Sequence, residues 1–220
     1  MNQSDEASAA PRALLFWSGG KDAAWALYHL QQDPSVEVAG LLTTFNSETD
    51  RSAMHAVRMS LIRRQASAAD LPLVEIAIPW PCPNAIYEDT INSTILSLKG
   101  DLKVQALAFG DLFVRDIREY REKQFADLGL KLLFPIWGMP TRDLALEMIK
   151  NKLQARIICV DSNVLPQKFT GREFDLRFLE ELPSGIDPCG ENGEFHTFVW
   201  NGPMFKEAIP IERGKTQKQE

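Results

Sequence analysis

Ala13-Leu14-Leu15-Phe16-Trp17-Ser18-Gly19-Gly20-Lys21-Asp22-Ala23-Ala24-Trp25-Ala26-Leu27-Tyr28 is the stretch on which the fold turns. Its order is an apolar strand, a tight glycine turn and a helix. Two adjacent glycines let backbone N–H groups approach an anion with no Cβ in the way, and the free N–H groups at the following helix start add positive potential. Lys21 adds a mobile charge. The plainer reading is a strand-to-helix turn in which Gly serves geometry and Lys21 and Asp22 are ordinary surface groups. The string is not a Walker A loop, which needs Gly-x-x-x-x-Gly-Lys-Ser/Thr, and not a dinucleotide fingerprint, which needs Gly-x-Gly-x-x-Gly.

Outward from that turn, short apolar runs alternate with amphipathic stretches. Strands are expected at Ala13–Trp17, Val38–Phe45, Leu73–Ile78, Ala106–Phe109, Leu132–Ile136 and Arg156–Val160. Helices are expected at about 22–32, 55–69, 84–98, 115–128 and 141–153, and a last strand at Phe195–Trp200. Regular β-α-β alternation implies an α/β fold with a doubly wound, mostly parallel sheet and helices on both faces. Residues 1–11 and 213–220 read as disordered tails. Between them the pattern divides into a nucleotide-binding part, 12–138, and a smaller C-terminal subdomain, 139–212.

Composition narrows the function classes. The chain has 220 residues, of which 45% are hydrophobic, enough for a substantial core. Its net charge of −6 argues against a protein that coats nucleic acid or an anionic membrane. No apolar run approaches the roughly 20 residues that span a bilayer, and the polar start has no signal-peptide core, so the cytoplasm is the expected compartment. Cys82, Cys159 and Cys189 are widely spaced in no CxxC pattern, which argues for reduced thiols over a disulfide framework or zinc ribbon. His29, His55 and His196 show no metal-ligand spacing, so any metal is expected to arrive with a nucleotide.

Parallel sheets bind ligands beyond the carboxyl ends of their strands, which selects the places to look. Thr43 and Asn46 end the second strand, where small polar groups can meet a base and ribose, or simply cap the strand. His55 is expected to open the next helix. Gly110-Asp111 ends another strand, where an Asp can touch a ribose, a metal-bound water or a substrate cation, or only make a turn. In the charged helix that follows, most side chains should form a solvated face laced by i,i+4 pairs. Arg115 and Arg118, nearest the strand end, are the candidates for an anionic ligand. Near the C-terminus, Asp187-Pro188-Cys189-Gly190-Glu191-Asn192-Gly193-Glu194-Phe195-His196-Thr197 packs two close carboxylates and a histidine into a compact loop. Such groups can hold Mg²⁺ water, pair with a cationic substrate or act as a base; a solvated acidic turn is the alternative.

Ser18–Asp22 resembles the PP-loop, Ser-Gly-Gly-x-Asp-Ser, of enzymes that split ATP between its α and β phosphates. Ser18–Asp22 together with Gly190–Thr197 resembles the diphthine–ammonia ligase family, which pairs an SGGKDS loop with a Glu-Gly-Gly-Glu-Phe/Tyr-His-Thr motif. The resemblance runs through Met54-His55, Gly110-Asp111, Phe134-Pro135-Ile136-Trp137 and Asp187–Glu191, from about residue 13 to 205. Two positions depart from it: Ala23, where a second hydroxyl is usual, and Asn192, where Gly is usual and where Asn is expected to tolerate a left-handed backbone.

The resemblance implies a HUP-type ATP-binding domain with a C-terminal region that completes a substrate cleft. It also implies that a substrate carboxylate attacks the α-phosphorus of MgATP, pyrophosphate leaves, and ammonia displaces AMP to give an amide. ATP and Mg are the implied cofactors, and the acyl substrate is implied to be diphthine on an elongation factor. Ser18, Gly19, Gly20 and Lys21 would hold the pyrophosphate, with Asp22 orienting the loop or Mg²⁺. Thr43, Asn46, His55 and Gly110 would line the nucleotide site. Glu191, Glu194, His196 and Thr197 would face the acyl substrate and the amine, with Asp111, Arg115 and Arg118 beside them. Two other readings stay open: an ATP or AMP sensor without turnover, kept alive by Ala23, and a PP-loop enzyme acting on tRNA or a small metabolite. Lys21→Ala is expected to abolish turnover while moving thermal unfolding by only a few degrees, since loop residues seldom hold a core.

Overall fold

The computed structural model describes residues 10–217. Residues 1–9 and 218–220 of the two expected tails lie outside the described residues; residues 213–217 carry neither helix nor strand. Strand β1 (Arg12–Phe16) leads through the glycine turn into helix α1 (Lys21–Gln32), then strand β2 (Glu37–Asn46), a two-residue strand β3 (Arg51–Ser52) and helix α2 (Met59–Ala68). Strand β4 (Leu73–Ile78), helix α3 (Asn84–Asp101), strand β5 (Val104–Ala108), helix α4 (Arg115–Gln124) and strand β6 (Lys131–Leu133) follow. Helix α5 (Thr141–Lys150), strand β7 (Gln154–Val160), helix α6 (Leu176–Glu181) and strand β8 (Phe195–Asn201) complete the chain.

Five of these strands run parallel: β1 lies between β2 and β5, β4 adds beyond β2, and β6 beyond β5. The chain thus steps outward from β1 to β2 and β4, then crosses back to β5 and β6. The direction of winding reverses between β1 and β5, and the carboxyl ends of those two strands flank the crevice where such sheets take ligands. Ser18–Asp22 follows one of them and Gly110-Asp111 the other. Along β1, Leu14 packs into the cluster with Ile91, Ile95 and Phe125, and Leu15 into the cluster with Trp25, Leu27 and Ile62. This alternation is what helices on both faces require. The expected mostly parallel α/β sheet of HUP type is the one observed.

Gly110 sets how closely the two sides of the crevice approach. A Cβ there would lie 2.8 Å from both Asp22 C and Ala23 N. Neither is the movable end of a side chain, so Gly110→Ala should lower stability by about 1–3 kcal/mol through overpacking, read as a reduced unfolding temperature.

Three expectations from the sequence are corrected. The helix expected over 55–69 begins only at Met59, because Ser52 N–H donates to the Val57 carbonyl, Val57 N–H donates to Ser52 Oγ and Ala56 turns left-handed at φ 51°. His55 therefore sits in a turn and does not open the helix. The strand expected over Leu132–Ile136 stops at Leu133, since Pro135 has no N–H to continue a ladder. Strand β7 does not extend the parallel sheet; it pairs antiparallel with β8 in a separate two-stranded sheet. Once Pro135 has turned the chain away, α5 leads to this second layer, where Ala155 and Ile157 pack into the same cluster as α1.

Candidate active site

The glycine loop is held from within and from strand β8. Gly20 N–H donates to Ser18 Oγ at 3.2 Å within the loop. From β8, Val199 N–H donates to the Gly19 carbonyl at 3.0 Å, and Thr197 Oγ1 accepts Lys21 N–H at 3.0 Å. The expected meeting of the N-terminal loop and the C-terminal motif is thus made by backbone and hydroxyl contacts. Gly19 has φ +80°, and a Cβ on it would meet Ile62 Cδ1 at 2.7 Å and Gln65 Oε1 at 2.8 Å, so glycine is required twice over. The N-cap of helix α1 is Gly20, which has no side chain to cap the N–H groups that follow Lys21, and this leaves an anion as a natural partner for them.

Lys21 is not a mobile charge. It is 1% exposed; its Nζ donates to Asp22 Oδ2 at 2.8 Å and to the Cys189 carbonyl. The ammonium also lies over the Phe195 and Phe174 rings, 5.3 and 5.8 Å from their centroids. Burial alone would depress the Lys21 ammonium, but Asp22 beside it more than offsets this and holds its pKa above the usual lysine value. Asp22 keeps one oxygen, Oδ1, buried with no hydrogen-bond partner, and burial raises its carboxyl against the pull of Lys21.

The loop from Asp187 to Glu194 closes the other wall. Glu194 spends both oxygens inside it: Oε1 accepts from Asp187 N at 3.0 Å and Asn192 Nδ2 at 3.0 Å, and Oε2 from Asn192 N at 2.9 Å. Burial pushes the Glu194 carboxyl up, yet these bonds carry it below the usual value. Glu194→Gln replaces one acceptor by a donor facing N–H groups, and should cost about 1–3 kcal/mol with faster amide exchange at Asn192. Left-handed backbone in this loop falls to Gly190 and Gly193, at φ 69° and 87°. Asn192 is not in that region, so the conformational tolerance expected of it is not what the loop uses; it supplies a donor to Glu194 instead. Glu191 is placed differently. Its Oε1 accepts Leu112 N–H at 2.9 Å, across the crevice from Gly110-Asp111. Burial, opposed by that bond, raises its pKa to about 7.

His55 and His196 stack face to face, centroids 4.4 Å apart. His55 also covers the loop: a Cβ on Gly20 would lie 3.0 Å from His55 Cε1. Burial first, then His196 and Lys21, push His55 down to about 3, and burial followed by Lys21 lowers His196. Both rings are therefore neutral at neutral pH. His55 Nδ1 is buried without a partner. Two orphaned polar atoms, Asp22 Oδ1 and His55 Nδ1, thus border the glycine loop. The residues present fit a phosphate group with an accompanying cation. Among the described residues, no group of three or more His, Cys, Asp or Glu side chains could hold a metal by itself.

The remaining candidates are spread along the same sheet edge. Thr43 is 3% exposed within β2, and Asn46 Oδ1 accepts the N–H groups of Glu48 and Thr49 at 2.8 and 3.3 Å, as a turn cap does. Asp111 is held by Arg121 through bonds of 2.5 and 3.2 Å. Arg118 lies 4.6 Å from the Phe134 centroid and 4.9 Å from that of Trp137 while bonding Glu122 at 2.8 Å, and Arg115 is exposed at the start of α4. Helix α4 buries no residue, in keeping with its expected solvated face. Two residues escaped the sequence reading. Arg121, one helical turn beyond Arg118, looked like part of the charged run. Gln65, in the middle of helix α2, is not among the sequence candidates; it bonds Trp17, Gly19 and Val199. No local signal marks either.

A parallel sheet with a glycine turn leading into a helix at its switch point has the architecture of the α/β nucleotide-binding class. The family model described as Diphthamide synthase N-terminal domain matches residues 11–132, and that described as Diphthamide synthase C-terminal domain matches residues 140–220. Curated proteins named diphthine–ammonia ligase are similar along most of the chain. The Homo sapiens protein is 38% identical over 225 residues, covering 91% of this chain and 83% of its own. Those of Rattus norvegicus and Bos taurus are 36% and 33% identical over the same shares. The chain belongs to the diphthine–ammonia ligase family, a family of ATP-dependent ligase enzymes. Among the described residues no helix is long and apolar enough to cross a membrane.

Proposed function

We propose that this protein activates a carboxylate with ATP and amidates it with ammonia, the acyl substrate being a diphthine side chain on an elongation factor. Carboxylate and ATP give acyl-adenylate and pyrophosphate; acyl-adenylate and ammonia give amide, AMP and a proton. The observation that carries this reading is the seating of β8 on the glycine loop through Val199, Thr197 and the His55–His196 stack. It supports the glycine loop and the C-terminal motif working in one crevice.

In this reading Ser18, Gly19 and Gly20 present backbone N–H groups to the departing pyrophosphate, where fixed donors stabilise charge as it develops. Lys21 acts from behind the loop, its charge reaching the site without a flexible side chain. Asp22 Oδ1, buried without a partner, would hold a Mg²⁺ that travels with the phosphates, and the ion would neutralise charge on them. Thr43 and Asn46 face the nucleoside, and neutral His55 accompanies the phosphates. Glu191 takes the proton from the incoming amine, with His196 and Thr197 beside it, and Glu194 holds the loop that carries Glu191. Asp111, Arg115 and Arg118 border the acyl substrate. Residues 12–138 form the ATP-binding domain and 139–212 the substrate subdomain, and the cytoplasm is the working compartment.

The test is to incubate the protein with α-labelled MgATP, ammonia and a diphthine-bearing elongation factor or a panel of carboxylates. Substrate-dependent AMP release is expected. Tight ATP binding with no AMP under any of these conditions would select a nucleotide sensor instead.

A further inference from the structure

Helix α2 carries a polar side chain that is wholly enclosed: Gln65 is 0% exposed. Burying a primary amide is costly unless its hydrogen bonds are made, and here each one joins a different part of the site. Oε1 accepts Trp17 Nε1–H at 2.9 Å, at the end of β1. Nε2 donates to the Gly19 carbonyl at 3.0 Å and to the Val199 carbonyl of β8 at 2.7 Å. The amide cannot sit the other way round. Indole nitrogen only donates, so Oε1 must face Trp17, and both amino hydrogens are then aimed at carbonyls.

The Gly19 carbonyl consequently receives two donors, Gln65 Nε2 and Val199 N–H. In a trans peptide the C=O and the following N–H point to opposite sides. Pinning the Gly19 carbonyl toward α2 and β8 turns Gly20 N–H away from them, to the side of Ser18 Oγ and His55. Gly19 and Gly20 have no side chains with which to select this orientation, and glycine populates many others. We infer that Gln65 is a positioning residue for the ligase reaction: it sets the glycine loop in its anion-receiving conformation and registers that loop against β8. The inference rests on the phosphate-loop reading given above. Gln65 acts through Gly19 and touches no reacting atom.

Gln65→Met keeps the length and volume of the side chain and removes all three hydrogen bonds. In the folded variant, pyrophosphate Kd and the KM for ATP should each rise about tenfold, the size of a misaligned bond to a charged group, while adenosine affinity stays within about twofold because the end of β2 is untouched. A merely structural role would lower the unfolding temperature without separating pyrophosphate from adenosine. Trp17→Phe is the second variant: it removes the donor that orients Oε1, leaves the backbone alone, and should weaken pyrophosphate about threefold. If Gln65→Met does not fold, this variant decides, and unchanged pyrophosphate affinity in it overturns the inference. A folded Gln65→Met protein that binds pyrophosphate as wild type does overturns the inference alone. Wild-type protein that binds adenosine but neither pyrophosphate nor ATP overturns the phosphate-loop reading, and this inference with it.

Discussion

Lys21→Ala is expected to lose turnover and also to unfold about 6–12 °C below the wild type, a loss of about 3 kcal/mol in a chain of this size. The second half departs from what the sequence suggests of a loop lysine. The reason is enclosure: Lys21 is 1% exposed, pairs with Asp22, bonds the Cys189 carbonyl and lies over Phe174 and Phe195. Deleting the ammonium leaves the part-buried Asp22 carboxylate without its counter-charge, and breaking such a pair costs more than the pair contributes. The double variant Lys21→Met, Asp22→Asn should therefore recover most of the lost stability and none of the activity. Thermal unfolding of the three proteins at one pH decides the point. Wild-type unfolding behaviour in Lys21→Ala would show that the ion pair carries no stability.

Glu191→Gln is expected to lower turnover about 10²- to 10⁴-fold, the usual contribution of a positioned base, with little cost to the fold. The amide oxygen can still accept Leu112 N–H, so the loop keeps its link across the crevice. What disappears is the proposed base. With Glu191 raised to about 7 by burial, wild-type activity should climb as pH passes through that value, and the variant should lack the rise. Stability moves the opposite way. A carboxyl whose folded pKa lies above its unfolded one holds its proton more tightly when folded, so its contribution is present at low pH and is lost as pH rises from about 4.5 to about 7. Above pH 7 the ionised Glu191 burdens the fold, and Glu191→Gln should then be at least as stable as wild type. Rate and melting profiles from pH 5 to 9 check both halves. A variant that keeps the activity rise would remove Glu191 as its cause.

Much of the fold is legible because parallel α/β units write themselves as a pattern. A strand buried on both faces reads as a continuous apolar run, as Ala13 to Trp17 does, and a helix that must pack on it reads as the apolar Ala23-Ala24-Trp25-Ala26-Leu27, which has no β-branched residue. The failures lie where that pattern is interrupted by single residues. Pro135 ends β6 early, and Ser52 with Ala56 folds 52–57 into a turn that no periodicity announces. Strand β7 carried the right composition but the wrong partner, since composition says a segment is extended and not what it pairs with.

The site divides along the same line. The motifs at Ser18–Asp22 and Gly190–Thr197 declare themselves because glycines and carboxylates at fixed spacing are needed to shape a loop. Their chain neighbours define what they are, and the family comparisons agree over nearly the whole length. Which of their groups face the crevice was settled only by packing. Glu191 and Glu194 are both acids of one motif, yet one reaches Leu112 across the crevice while the other is consumed by its own loop. Lys21 is drawn under the loop by Asp22 and the Cys189 carbonyl, and Gln65 reaches Gly19 from a helix 46 positions along the chain. By itself, then, the sequence determined the sheet, the position of the glycine loop at a strand end and the class of chemistry, since these follow from local pattern. The tertiary structure decided which side chains are buried, paired or left without a hydrogen-bond partner. Burial and pairing are properties of neighbours brought together from distant parts of the chain.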